Sequence, residues 1–316
     1  MFSGKEDTPE EREQKRQEND FDVLKYDGIQ ALQIGRYAYA IACFTHALDI
    51  KEDRETREHL AGAYIHNNDL ESACDVFEQL SNLYREEPGY VVNRAKLLYE
   101  LEEYPEAITL CKELLETDDS LAYPSFLLGQ IYKAQGKLED AEKHCSDSIS
   151  KQESFVDALL LRSEIRYDKK DYEGSLTDID AILSLNYDAE EVLLQKGMVL
   201  EAMDNISEAL SYYNNVLEQN PFIPDAYAKL ARLHIKSGEY SEADDIIHDG
   251  IEQNGESSLL ISVRAELKEA NGDAEGAEED RQLAEQLKMD EEEMEDEDYD
   301  VEREMKERMS AVNPFQ

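Results

Sequence analysis

Gly35 to Leu48 reads GRYAYAIACFTHAL. A turn residue comes first, then an aromatic ring, then Ala40 five positions on and Phe44 four beyond that. The same order returns as GKLEDAEKHCSDSI at 136–149, DNISEALSYYNNVL at 204–217, GEYSEADDIIHDGI at 238–251 and GDAEGAEEDRQLAE at 272–285. Catalytic motifs do not recur in this way, whereas stacked architectural units do.

The turn position falls at Gly35, Asn68, Glu102, Gly136, Lys170, Asp204, Gly238 and Gly272, with a first interval of 33 residues and later ones of 34. Five residues after each turn stand Ala40, Ala73, Ala107, Ala141, Ser175, Ala209, Ala243 and Ala277. Seven residues before it lies a second small column: Gly28, Ala61, Ala95, Gly129, Ser163, Gly197, Ala231 and Ala265. Bulky side chains fill other columns, among them Tyr37, Tyr104, Tyr172 and Tyr240 after the turn, and Phe44, Phe77, Ile179 and Tyr213 further on.

Apolar residues recur at three- and four-residue intervals on both sides of the turn, which is helical spacing. Each unit is therefore a helix, a short turn and a second helix. Small side chains let the paired helices approach, and larger ones fill the grooves beside the crossing. One such hairpin cannot bury its apolar face alone, so neighbours must stack.

In these columns and this period the chain resembles the tetratricopeptide repeat family, over about residues 21–288 in eight units: 21–53, 54–87, 88–121, 122–155, 156–189, 190–223, 224–257 and 258–288. The resemblance implies an all-α fold, a right-handed superhelical solenoid of antiparallel helix pairs. There are departures: tryptophan is absent, only Pro221 occupies the closing proline position, and Asp27 and Arg57 replace apolar residues. The eighth unit has Ala274 and Arg281 where bulk is expected. Residues 1–20 form a charged leader, helical or disordered, with a helix start at TPEE, where Thr8 caps and Glu11 closes a capping box. Residues 289–316 form an acidic tail with a short terminal helix carrying Val301, Met305 and Met309 on one stripe.

The resemblance also implies an inner, concave surface lined by the first helix of each unit. Its side chains would include Lys25, Ile29, Glu58, His59, Asn93, Lys96, Tyr99, Tyr123, Phe126, Gln130, Tyr167, Leu194, Met198, Lys229, Arg232 and Lys236. Such a mixture of aromatic, apolar and charged groups suits an extended peptide. Outer helices or an end cap are the alternative places for a partner. Family members that bind chaperone tails grip a terminal carboxylate with lysines, asparagines and an arginine. Here Lys25 matches, but Ile29, His59, Gly89 and Asn93 stand at the other places, so that mechanism is not expected. Lys229, Arg232 and Lys236 share one helical face, with Arg264 and Lys268 in the next unit, as a candidate anion site for an acidic peptide. The protein's own tail, residues 290–300, is one such peptide.

Composition narrows the function further. With 75 acidic and 32 basic residues the net charge is −43, which opposes binding to nucleic-acid phosphates. No run of about eighteen apolar residues exists, so no membrane insertion is expected; the N-terminus lacks a secretory signal, and a cytoplasmic location is the expectation. Cys43, Cys74, Cys111 and Cys145 are too widely spaced for a zinc site and read as free core thiols. Asp296, Asp298, Asp300, Glu302 and Glu307 have calcium-loop spacings, but Val301 stands where glycine is needed. Asn313–Phe315 resembles a short endocytic recognition tripeptide. No nucleophile context, phosphate-cradling loop or dinucleotide fingerprint is present, so no enzyme and no cofactor are expected. The expected function is a non-catalytic scaffold or adaptor for a protein or peptide. The alternative is a structural subunit that assembles through its end helices.

Overall fold

The computed structural model describes residues 8–291. The first seven residues, the acidic run after 291, the Val301–Met309 stripe, the calcium-like spacing and the terminal tripeptide lie outside the described residues. So does nearly all of the tail segment considered as a ligand for the lysine cluster. Among the described residues every regular element is a helix.

The helices come in pairs: α1 (Pro9–Gln33) with α2 (Tyr37–Ile50), α3 (Arg54–His66) with α4 (Leu70–Leu83), and α5 (Pro88–Glu100) with α6 (Tyr104–Thr117). Next come α7 (Ala122–Ala134) and α8 (Leu138–Lys151), α9 (Val156–Asp168) and α10 (Tyr172–Ser184), and α11 (Glu190–Ala202) and α12 (Ile206–Gln219). Last are α13 (Pro224–Ser237) and α14 (Tyr240–Asn254), then α15 (Ser258–Ala270) and α16, helical over 274–291. Two compact units divide these residues, one running to Leu127 and the other starting at Leu128, inside α7.

α1 begins where the TPEE signal puts it. Thr8 Oγ1 accepts from Glu11 N at 3.2 Å, while Thr8 N donates to Glu11 Oε2 at 2.7 Å. The helix then runs without a break through the charged leader into the first repeat. Residues 9–20 are exposed throughout and Phe21 is the first buried side chain.

All eight turn residues have left-handed backbone, from φ 54° at Asn68 to φ 88° at Gly272. The next residue's N–H reaches back across the helix end, as in Arg36 N to Ala31 O (2.8 Å), Asp171 N to Arg166 O (2.8 Å) and Asp273 N to Lys268 O (2.8 Å). This is the Schellman closure, which satisfies carbonyls that the helix leaves open. Glycine occupies four of these positions, and Asn68, Glu102, Lys170 and Asp204 adopt the same conformation against its usual cost of about 1–2 kcal/mol.

The alanine column is fully buried, Ser175 included. Ser175 is accommodated because its Oγ donates to Ser163 O at 2.8 Å. Across the crossing, glycines of the other small column receive large partners: a Cβ on Gly28 would stand 2.5 Å from Phe44, and one on Gly197 2.4 Å from Tyr213. The size of the gap is thus set by the smaller member of each pair.

Asp27 has a structural reason. On α3 the equivalents of Val23, Asp27 and Gln30 are Thr56, Leu60 and Ala63, all buried, with α2 packed against that helix. Among the described residues only α2 and α3 pack against α1; Val23 is 50% exposed, and the stripe turns partly polar.

Candidate functional site

Within each unit the odd-numbered helices also meet one another: α1 with α3, α9 with α11 and α13 with α15. Among the described residues, α2 with α4 and α10 with α12 make no comparable contact. Nor do α3 with α5 and α11 with α13, so contact between first helices is local to those three pairs; the predicted binding residues stand on the odd-numbered helices.

In the first unit most of those residues are already engaged. Lys25 Nζ lies 2.9 Å from Asp53 Oδ2 and 2.6 Å from Glu55 Oε2, clipping α1 to the start of α3. Burial disfavours the Asp53 charge, but hydrogen bonds from Lys25 and Thr56 outweigh it and hold the pKa at about 2. Burial likewise pulls Lys25 down and is outweighed by Glu55 and Asp53, so its pKa is raised. Asp53 ionises more readily folded than unfolded, where its ordinary value is 3.8. Its contribution of about 2 kcal/mol is present above pH 4 and lost as pH falls through 2. Urea unfolding should find Asp53→Asn, which can still cap α3, less stable than wild type by that amount at pH 6. The gap should close toward pH 2, and a gap independent of pH would show that the carboxylate is not held by Lys25.

Asn93 and Lys96 are exposed on α5, with Lys96 3.7 Å from Glu100. Tyr99 is half-buried with its ring 6.0 Å from that of Tyr104. Tyr123 meets Phe126 edge-on at 5.7 Å. Phe126, expected on a binding surface, is instead a core residue, 7% exposed, because the first turns of α7 are buried from Pro124 onward. His59 stacks on Phe44 at 5.6 Å, and Ile29 is half-buried. Sequence reasoning passed over Arg54, whose guanidinium sits 5.0 Å from the Tyr84 ring and 5.3 Å from the Tyr90 ring and donates to Tyr90 Oη at 2.7 Å.

In the second unit the five expected cations separate into two groups. Arg232 makes a fork with Glu266, at 3.0 Å from Nε and 2.9 Å from Nη2. Arg264 and Lys268 converge on Asp280, which is 4% exposed, at 2.8 and 2.7 Å. These three are not available as an anion cluster, because buried or facing carboxylates already neutralise them. Lys229 and Lys236 have no ion-pair partner among the described residues. They are seven residues apart on one side of α13, Lys229 half-buried and Lys236 exposed. Leu194 and Met198 of α11 lie half-buried against the cluster of Leu200, Tyr213 and Leu230. Tyr167 packs on Tyr172 at 5.6 Å; burial, then Glu201, raises its pKa. Gln130 and Glu58 are half-buried and exposed respectively.

The Asp280 arrangement has a counterpart 102 residues earlier, three repeat lengths away. Asp178, 1% exposed, accepts from Arg162 Nε (2.9 Å) and Nη2 (2.6 Å) and from Arg166 Nη1 (2.9 Å). Arg166 and Lys268 each donate on to a glycine carbonyl, Gly174 and Gly276. The paired spacing in the sequence was the available signal for this element.

Among the described residues no group of His, Cys, Asp and Glu could hold a metal ion, and no helix is long and apolar enough to cross a membrane.

A profile described as "Tetratricopeptide repeat" matches residues 200–267. A curated relative, tetratricopeptide repeat protein 30 homolog of Drosophila pseudoobscura pseudoobscura, is 21% identical over 73% of this chain and 30% of its own length. The chain thus spans about a third of the length of that relative. A solved tetratricopeptide repeat protein from Parabacteroides merdae superposes with a TM-score of 0.60 at 18% identity, covering 74% of this chain and 93% of the other. YrrB, described as a tetratricopeptide repeat protein with an unusual peptide-binding site, superposes with a TM-score of 0.51 at 20% identity, covering 60% of this chain and 97% of its own.

Proposed function

Because this chain is a tetratricopeptide-repeat protein, we propose that it is a non-catalytic scaffold or adaptor holding an extended segment of a partner polypeptide on its odd-numbered helices. The observation that carries this reading is the pair Lys229 and Lys236. In a chain of net charge −43 they have no ion-pair partner among the described residues, while Leu194 and Met198 on α11 are half-buried. Two such cations, with apolar side chains on the preceding first helix, suit a peptide that carries acidic and apolar side chains. The peptide-binding site named for YrrB gives the reading support by analogy of fold.

Lys229→Glu/Lys236→Glu should weaken such a ligand by about tenfold or more while leaving the helical circular-dichroism signal unchanged. The check is selection from a random-peptide display library on the wild-type chain, then affinity measurement of the enriched peptides on both forms. Equal affinities would remove Lys229 and Lys236 from the site, and an absence of acidic-apolar enrichment would remove the peptide class.

A second reading, assembly through the open side of α1, is favoured by Val23 and Ile34, 50% and 69% exposed. Asp27 and Gln30 in the same stripe oppose it, since a stacked helix would desolvate them. A sedimentation mass that rises with concentration would favour this alternative.

A further inference from the structure

The even-helix side of the first unit has a pocket of about 350 Å³ between α2 and α4, floored by α3. Asp49 of α2 and Asp75 of α4 stand on its walls, and Leu60 and Val76 supply apolar ground. Arg57 also lines it, but its guanidinium is engaged by Glu52 (Nε to Oε1, 2.9 Å) and by Gln79. Asp49 and Asp75 have no cationic partner among the described residues.

What this pocket lacks is supplied from within in other repeats. Eight residues before the turn, Leu60's column holds Arg94, Arg162, Lys196 and Arg264 in the third, fifth, sixth and eighth repeats. Each of these cations reaches a carboxylate on an adjoining even helix. Arg94 lies 3.3 Å from Glu78 and 2.6 Å from Glu106, and Arg162 lies 2.6 Å from Asp178. Lys196 lies 2.7 Å from Asp180, and Arg264 2.8 Å from Asp280. The fourth and seventh repeats also have leucine in this column, Leu128 and Leu230, but there Val76's column holds the larger His144 and Ile246. Ile246 packs into the same cluster as Leu230. In the second repeat the opposing residue is only Val76, so the space stays open between two unneutralised carboxylates.

We propose that this pocket accepts an arginine side chain from a partner polypeptide, which takes the place that Arg94, Arg162 and Arg264 take in their own repeats. A guanidinium can bridge carboxylates on two even helices, as Arg94 does between Glu78 and Glu106, and its aliphatic stem covers the apolar floor formed by Leu60 and Val76. An ammonium lacks the planar fork and joins two carboxylates only where both close on one point, as Asp53 and Glu55 do around Lys25. The site belongs to the even helices and stands independently of the peptide reading of the odd-numbered helices.

The test is a titration of the full, isotope-labelled chain with an arginine blocked at both ends, followed by backbone amide shifts. Shifts centred on Asp49, Tyr64 and Asp75 with a roughly millimolar dissociation constant are expected for a single side chain. Blocked citrulline, which keeps the shape and loses the charge, should bind about tenfold more weakly, as should arginine to Asp49→Asn/Asp75→Asn. Leu60→Arg, which furnishes the guanidinium internally, should abolish the response. Equal binding of arginine and citrulline, unchanged binding to the asparagine pair, or no shift at the pocket would overturn the proposal. The asparagine variant keeps the test decisive should Leu60→Arg fail to fold.

Discussion

Asp178→Ala is expected to lower the unfolding free energy by about 3–5 kcal/mol, the largest loss for a single substitution among those considered. The cause is what remains behind. Arg162 and Arg166, with side chains 15% and 19% exposed, would lose their shared carboxylate; Arg166 keeps Glu142, but Arg162 would be left with Ser146 Oγ and no counter-charge. Removing the charges together is a different matter: Arg162→Met/Arg166→Leu/Asp178→Leu should come back to within about 2 kcal/mol of wild type, since desolvating ions offsets most of what their pairing contributes. By contrast, removing Glu100 from its exposed pair with Lys96 should cost under about 1 kcal/mol. Chemical denaturation followed by circular dichroism reads all three. Repeat arrays can unfold in steps, so hydrogen exchange on α9 and α10 should accompany it. A loss of under about 1 kcal/mol for Asp178→Ala would mean that water reaches the arginines.

Gly197→Ala is expected to destabilise although alanine is the better helix former. The new methyl carbon would stand 2.4 Å from the ring of Tyr213, which is fully buried and whose hydroxyl donates to Glu201 at 2.8 Å. The ring has nowhere to go, so overpacking of about 1–3 kcal/mol exceeds the gain of about 1 kcal/mol in helix propensity. Gly62 is the internal control. It also lies within a first helix, but nothing stands within 4 Å of an added Cβ, and Gly62→Ala should stabilise by about 0.5–1 kcal/mol. Opposite signs for two identical substitutions in equivalent helices would show that the crossing, not the helix, sets the requirement. Two stabilising results would show that Tyr213 can move.

The fold was readable because its determinants repeat. A column that holds alanine or serine eight times in the same phase marks a helix crossing from residue spacing alone, and burial at each of those positions follows from it. The turn was less readable: Glu102 and Lys170 gave no hint of left-handed backbone except their place in a glycine column. Binding residues were harder still. Lys25 and Arg232 look available in a linear reading, yet each meets a carboxylate from the following repeat, Glu55 and Glu266, 30 and 34 residues away. Such partners become visible only when repeats are written in register and adjoining rows are compared. Phe126 failed for another reason, since a column position says which helix side a residue takes, not how deeply the neighbours bury it. Asp27 shows the converse, an irregular residue in its column that follows from its place in the first repeat.

The four thiols have a use that follows from where they lie. Each of the first four second helices contains one cysteine, all buried, and none occurs in later repeats. Burial raises the pKa of Cys43, moves that of Cys74 up to about 11, and moves those of Cys111 and Cys145 up to about 12, so thiolate is scarce in the closed form at neutral pH. An alkylating reagent would therefore wait for each helix to lift before it reacts. Single-cysteine versions of the chain would become four clocks, each timing the breathing of one hairpin without any probe having been introduced.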